Sequence, residues 1–156
     1  FFQQLFFYYK LNLFLPSAQW CGSRACLKKN LISPQWLRNI KDKNYSLWRL
    51  DTLFSKTKYN NILFIQNGGW HFAYLKSAKG IEKKLKSYLH HREYDLNPVG
   101  IKKIEEKIKY QKTIYDLKAD MRESKFDRGQ QLDKINIELL PKYIKNNIEK
   151  YEIWME

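Results

Sequence analysis

Cysteine is scarce. The 156 residues hold two, Cys21 and Cys26, five positions apart. They have no Cys or His partners at zinc-site spacing, so a structural zinc module is excluded. A disulfide between them would require the segment to bend back on itself, and two ordinary thiols of a reducing compartment is the simpler reading. Long apolar runs are also missing. The most apolar stretch, residues 1–15, is interrupted by Gln3, Gln4, Lys10 and Asn12. It is too short and too broken for a transmembrane helix, and it lacks the basic flank and small-residue cleavage site of a signal peptide. There is no internal repeat and no low-complexity linker. Acid is in short supply as well, with 16 Asp and Glu against 29 Lys and Arg. No Asp-x-Asp pair occurs; Asp42, for example, stands alone between Lys41 and Lys43.

What is present is a basic, aromatic chain. Its formal net charge is +13, with 44% hydrophobic and 16% aromatic residues. The length allows one domain, or part of one, with a real core. The charge favours anionic partners: nucleic acid, an acidic membrane surface, or nucleotide phosphates. The same excess accompanies a composition rich in Lys, Asn, Ile and Tyr, as an AT-rich coding sequence gives, with lysines on solvated faces.

The pattern along the chain predicts a strand-rich first half and a helical second half, an α/β class. A core strand is expected near Phe6 to Leu13, ended by Pro16-Ser17. A second extended segment is expected over Gln19 to Leu27. Lys28 to Asn44 reads as loop with one helical turn near Gln35 to Asn39. Ile62-Leu63-Phe64-Ile65 reads as a strand covered on both faces. Ile81, Leu85, Tyr88 and Leu89 fall at helical spacing. Asn97-Pro98 opens a further helix to about Lys112, with Asn97 as cap. A weaker helical stretch follows over Ile114 to Met121, then a polar loop from Glu123 to Gln131. Pro141 opens a last helix with Tyr143, Ile144, Ile148 and Tyr151 on one face.

Two short segments stand out. Asn67-Gly68-Gly69 is a glycine turn, and Trp70-His71-Phe72 follows it. An extended chain puts Trp70 and Phe72 on one face and His71 on the other. About a helix later comes His90-His91-Arg92-Glu93-Tyr94. If the chain is extended there, His91 and Glu93 share a side and His90 lies on the far side at the surface; on a helix, residues two apart do not face each other. From the residues alone, a hairpin turn with core aromatics and a surface histidine accounts for the first segment.

Gly68-Gly69-Trp70-His71-Phe72 with the downstream His91-Arg92-Glu93 resembles the GGWHF and H-x-E signature of glycosyltransferase family 17. These enzymes include the β-1,4-mannosyl-glycoprotein N-acetylglucosaminyltransferase that adds a bisecting GlcNAc. Weaker matches fall in the same order: Tyr8-Tyr9-Lys10-Leu11-Asn12, Trp20-Cys21-Gly22-Ser23, Pro34 with Arg38, Asp127-Arg128, and Leu140-Pro141-Lys142-Tyr143-Ile144. The resemblance spans nearly the whole chain. It implies the distal part of one GT-A-like α/β domain, the fold of nucleotide-diphospho-sugar transferases. The implied reaction is inverting transfer of GlcNAc or a related hexose from a UDP-sugar to a glycan hydroxyl.

The implied roles follow. Glu93, with His91, would act as general base. His71 or His91 would complete a Mn²⁺ or Mg²⁺ shell. Trp20, Trp70 and Phe72 would stack on sugar, Gly22, Gly68 and Gly69 would allow close approach, and Arg38 or Arg128 would hold phosphate. The family places an Asp-x-Asp metal motif just before the Y-x-L-N strand, and this chain begins almost at that strand. The expectation is therefore a fragment that lacks the nucleotide-binding part and binds nucleotide-sugar weakly or not at all. The compartment would be the Golgi membrane if the chain follows animal relatives, and the cytoplasm if it is bacterial or viral. The resemblance does not call for a nucleic-acid partner. A reading from another class is a small basic nucleic-acid-binding module, supported by aromatics among basic residues at Trp48-Arg49 and Lys56 to Tyr59. A third is an inactive remnant of a transferase.

Overall fold

The computed structural model describes residues 1–87, 91–116 and 124–156, without the side chains of His91 and Glu93. Four strands form one sheet: β1 (Gln4–Tyr8), β2 (Leu13–Trp20), β3 (Trp70–Ala73) and β4 (Asp133–Lys134), in the order β3-β1-β2-β4. Among the described residues five α-helices accompany it: α1 (Pro34–Asn39), α2 (Ala78–Ser87), α3 (His91–Leu96), α4 (Gly100–Lys109) and α5 (Lys142–Lys145). Sheet and helices together make an α/β chain. No described helix is long and apolar enough to cross a membrane. The chain divides into two compact units. One comprises Phe1–Leu5 and Gln19–Gly69; the other comprises Phe6–Ala18 and Trp70–Glu156.

The second unit holds the main core. Aromatic and β-branched residues favour the pleated surface, and β1 places Phe6, Phe7 and Tyr8 almost wholly out of water. α2 contributes Ile81 and Leu85, four residues apart on one stripe, and α4 contributes Ile104; each is at most 1% exposed. α2 packs on both α3 and α4. Tyr94, Ile114, Phe126 and Leu132 close the same cluster. The edge-on contacts of Phe126 with Tyr94 and Tyr115, at 5.9 and 6.3 Å, follow the quadrupole preference of aromatic rings.

Between β1 and β2 the chain turns at Tyr9, whose φ is 60°. The Tyr9 hydroxyl donates to the Lys112 carbonyl at 2.6 Å. Leu11 N–H donates to the Trp154 carbonyl at 2.8 Å. Buried Asn12 accepts from Glu156 N–H at 2.9 Å and donates to its carbonyl at 3.3 Å.

The first unit is built largely from irregular chain. Ser33 caps α1 by accepting from Trp36 N–H, with Pro34 at the first position. The Arg24 guanidinium donates to the carbonyls of Leu37, Arg38 and Ile40 where that helix ends. Ile40 and Tyr45 are its buried apolar residues, and Trp36 meets Tyr59 edge-on at 6.4 Å.

Several expectations are corrected. The stretch Phe6 to Leu13 is two strands joined by a turn, and Pro16-Ser17 lies inside β2. Proline within a strand suits an edge that lacks a ladder partner, and β4 pairs with β2 only at Leu13 and Phe14. Ile62 to Ile65 is not a two-sided buried strand. Ile65 makes one isolated parallel bridge to Phe2, and Leu63 and Ile65 are 73% and 41% exposed. A four-residue apolar run has no periodicity to separate core strand from packed loop.

Asn97 does not cap α4. The preceding residue of that helix is Val99, and the Asn97 amide donates to Ser124 Oγ at 2.7 Å. α4 ends at Lys109, and residues 111–116 are not helical; 117–121 lie outside the described residues, as does Glu123. Pro141 opens only the single turn of α5, followed by a 3-10 stretch, Ile148–Trp154. Tyr143 there is 65% exposed while Ile144 is buried, so the expected common face does not form. Tyr88 and Leu89, expected on the α2 stripe, lie outside the described residues.

Candidate functional site

β3 lies at the sheet edge beside β1, and extended geometry alternates its side chains. Phe72 packs on Phe7 with ring centroids 4.9 Å apart. His71 takes the opposite face and packs on Phe6 at 5.0 Å. His71 therefore stands on the face that carries the core cluster and is half-buried, not a surface histidine. Trp70 is 41% exposed, yet its indole N–H donates to the Leu139 carbonyl at 2.7 Å. One edge of the ring is fixed while much of the remainder meets solvent.

Burial pulls the His71 pKa below the usual histidine range, and the Lys84 ammonium pushes the same way. Lys84 itself lies over the Tyr74 ring at 4.1 Å. At neutral pH the imidazole is uncharged. A folded-state pKa below the unfolded value means the unfolded chain takes up the proton first. This contribution to stability is present above about pH 6.5 and is lost as pH falls through the folded value. Urea unfolding at pH 7.5 and pH 5 should show wild type losing stability on acidification, and His71→Phe should lose measurably less. Equal losses in the two proteins would remove His71 as a source.

A divalent cation at His71 requires further ligands. No group of three or more His, Cys, Asp or Glu suited to a metal gathers among the described residues. Neighbours of His71 include the Phe6 ring and the Lys84 ammonium.

His91 and Glu93 are in α3, whose backbone is helical from His91 onward. The extended chain expected to bring them to one side is therefore not formed. Their side chains, and all of His90, lie outside the described residues.

The glycines are tightly placed within the first unit. A Cβ on Gly68 would lie 2.7 Å from Phe2 Cβ and 3.0 Å from its Cα. Gly69 has φ 141°, a region that favours glycine, and a Cβ there would meet the Gln4 amide at 3.2 Å. Close backbone approach, read from the sequence, is real, and what approaches is this chain's own Phe2 and Gln4. Gly22 lies against the half-exposed Trp20 indole, which leaves no room for a Cβ. Arg38, exposed on α1, borders an open cavity of about 490 Å³ that Arg24, Lys41 and Asp42 also line. Cys21 and Cys26 are free thiols, and burial raises the Cys21 pKa.

Arg128 belongs to the second unit. It lines a cavity of about 370 Å³ with Lys103, Lys107 and Lys112. The geometry thus groups Trp20 with Gly22, Gly68 with Gly69, and Trp70 with His71 and Phe72, and it gives Arg128 three basic neighbours. Those lysines were missed in the sequence. A signal was present: Lys107 occupies the position three after Ile104, where the apolar stripe of α4 continues.

Comparison with protein-family models, with curated proteins and with solved structures finds no match to this chain.

Proposed function

We propose that this chain is part of a GT-A-like glycosyltransferase resembling family 17, transferring N-acetylglucosamine or a related hexose from a UDP-sugar to a glycan hydroxyl with inversion. One observation supports it most. Trp70, within the GGWHF segment, stands on an edge strand with its indole N–H held by Leu139 and much of the ring in solvent. A rigid, half-wet indole is a platform on which a sugar face can stack. His71 behind it, neutral at pH 7, is a hydrogen-bond partner for a hydroxyl that needs no counter-ion.

In this reading Glu93 takes the proton from the acceptor hydroxyl. The freed oxygen attacks the anomeric carbon, the bond from that carbon to the diphosphate oxygen breaks, and UDP leaves with the negative charge. Positive groups must meet that charge, and Arg38 or Arg128 is the arginine matched to that role. The test uses protein expressed from the whole reading frame that contains residues 1–156. Incubation with UDP-GlcNAc and high-mannose or hybrid glycans should yield UDP and a product heavier by one GlcNAc, with Trp70→Ala raising the acceptor KM about tenfold. Absence of turnover across UDP-hexoses and glycan acceptors would overturn the reading.

A second reading has its own observation. Trp48 and Phe54 are 91% and 88% exposed, and they flank Arg49 in a basic stretch of the first unit. Exposed rings among cations suit stacking on single-stranded nucleic acid. Tight binding to random oligonucleotides at physiological salt would favour it over sugar transfer.

A further inference from the structure

The cavity on α4 is unusual in its charge. Lys103, Lys107, Lys112 and Arg128 line it, opposed by two carboxylates, Glu106 and Asp127. Asp127 is already engaged by Lys103 at 3.1 Å. Lys107 is only 6% exposed. Lysine is rarely buried without a carboxylate, yet among the described residues its ammonium is bonded to carbonyls only: Arg128 O at 3.0 Å and Thr113 O at a long 3.5 Å. An ammonium has three N–H donors, so one remains for whatever enters.

Burial depresses the Lys107 pKa, and Lys103 and Lys112 push the same way against Asp127 and Asp116. Among the described lining residues, basic groups thus outnumber carboxylates in a partly desolvated place. Gly129 keeps the wall open: a Cβ there would lie 2.5 Å from the Thr113 carbonyl oxygen and 3.4 Å from Lys107 Nζ. At about 370 Å³ the cavity is at the small end of ligand sites.

We propose that this pocket is an anion site that takes a phosphate or diphosphate group, with Lys107 as its buried anchor and Lys112 and Arg128 as outer clamps. The site stands on its own geometry, whether or not the chain transfers sugar. An entering dianion sets a counter-charge directly on Lys107, which among the described residues is bonded only to carbonyls, and Arg128 offers a planar fork matched to phosphate oxygens.

The test is calorimetric titration of the full chain with inorganic pyrophosphate at low salt. Saturable one-to-one binding is expected. Lys112→Gln, at an exposed position that folding tolerates, should weaken it about three- to tenfold, and Arg128→Gln by at least as much. Lys58→Gln, in the first unit, should leave it unchanged. Lack of saturable binding at millimolar pyrophosphate would overturn the proposal. So would equal weakening by Lys58→Gln and Lys112→Gln, because general attraction to a basic chain would then explain the signal.

Discussion

Glu93→Gln, in protein expressed from the whole reading frame, should lower GlcNAc transfer about a hundred- to ten-thousandfold, the range a positioned general base contributes. The thermal midpoint should stay within a few degrees of wild type. Glutamine matches glutamate in size and keeps an acceptor oxygen, but it cannot take the proton from the acceptor hydroxyl. The loss should appear in kcat, with acceptor KM little changed, because proton removal belongs to the transition state. Glu93 lies in α3, helical from His91 to Leu96, so its role does not require His91 on the same side. Unchanged turnover would remove Glu93 as the base. Lost turnover with a large fall in midpoint would assign it a structural part instead.

Ile104→Ala should be among the most destabilising single truncations in the second unit. Ile104 is wholly buried in the cluster with Ile81 and Leu85, where α4 packs on α2. Removing three carbons from such a site costs about 3 kcal/mol through lost burial and the cavity left behind. For a chain of this size that lowers the midpoint by about 6–12 °C. Ile101, on the same helix but 36% exposed, is the control. Its truncation should cost less than about 1 kcal/mol, because most surface substitutions do. Equal falls for the two variants would mean that the α2–α4 seam does not carry the stability assigned to it.

Where a signal repeats, the sequence was readable. Ile81 and Leu85 recur at helical spacing, and both are buried in α2 as expected. The helical turn expected near Gln35 to Asn39 is α1, and Trp70-His71-Phe72 alternates across the sheet. Where the signal is local and tertiary pairing decides, it was not. Ile62 to Ile65 has the composition of a core strand, but its one bridge depends on Phe2, about sixty positions away. Pro16 looks like a stop and sits within a strand, beyond the two residues at which β4 pairs with β2. Asn97 looks like a cap, and its amide is spent on Ser124.

The candidate site divides along the same line. Residue types and spacing drew attention to Trp70, His71 and Phe72. They could not reveal that His71 packs on Phe6 and lies near Lys84. Lys103 and Lys107 are four apart on α4, but they meet Arg128 only where residues 127–129 come against that helix.

The turn at residues 9–12 has a consequence for the order of events during synthesis. The hydrogen-bond partners of Leu11 and Asn12, Trp154 and Glu156, lie up to 144 positions downstream. A ribosome tunnel holds the latest residues out of reach, so this corner of the sheet cannot close while residues 154–156 are still being made. The nascent chain must carry its two aromatic strands unfinished while the intervening residues are made. Contacts so distant in sequence also slow folding once the chain is free, and for that interval strand edges rich in phenylalanine and tyrosine stay open to chaperones or to one another.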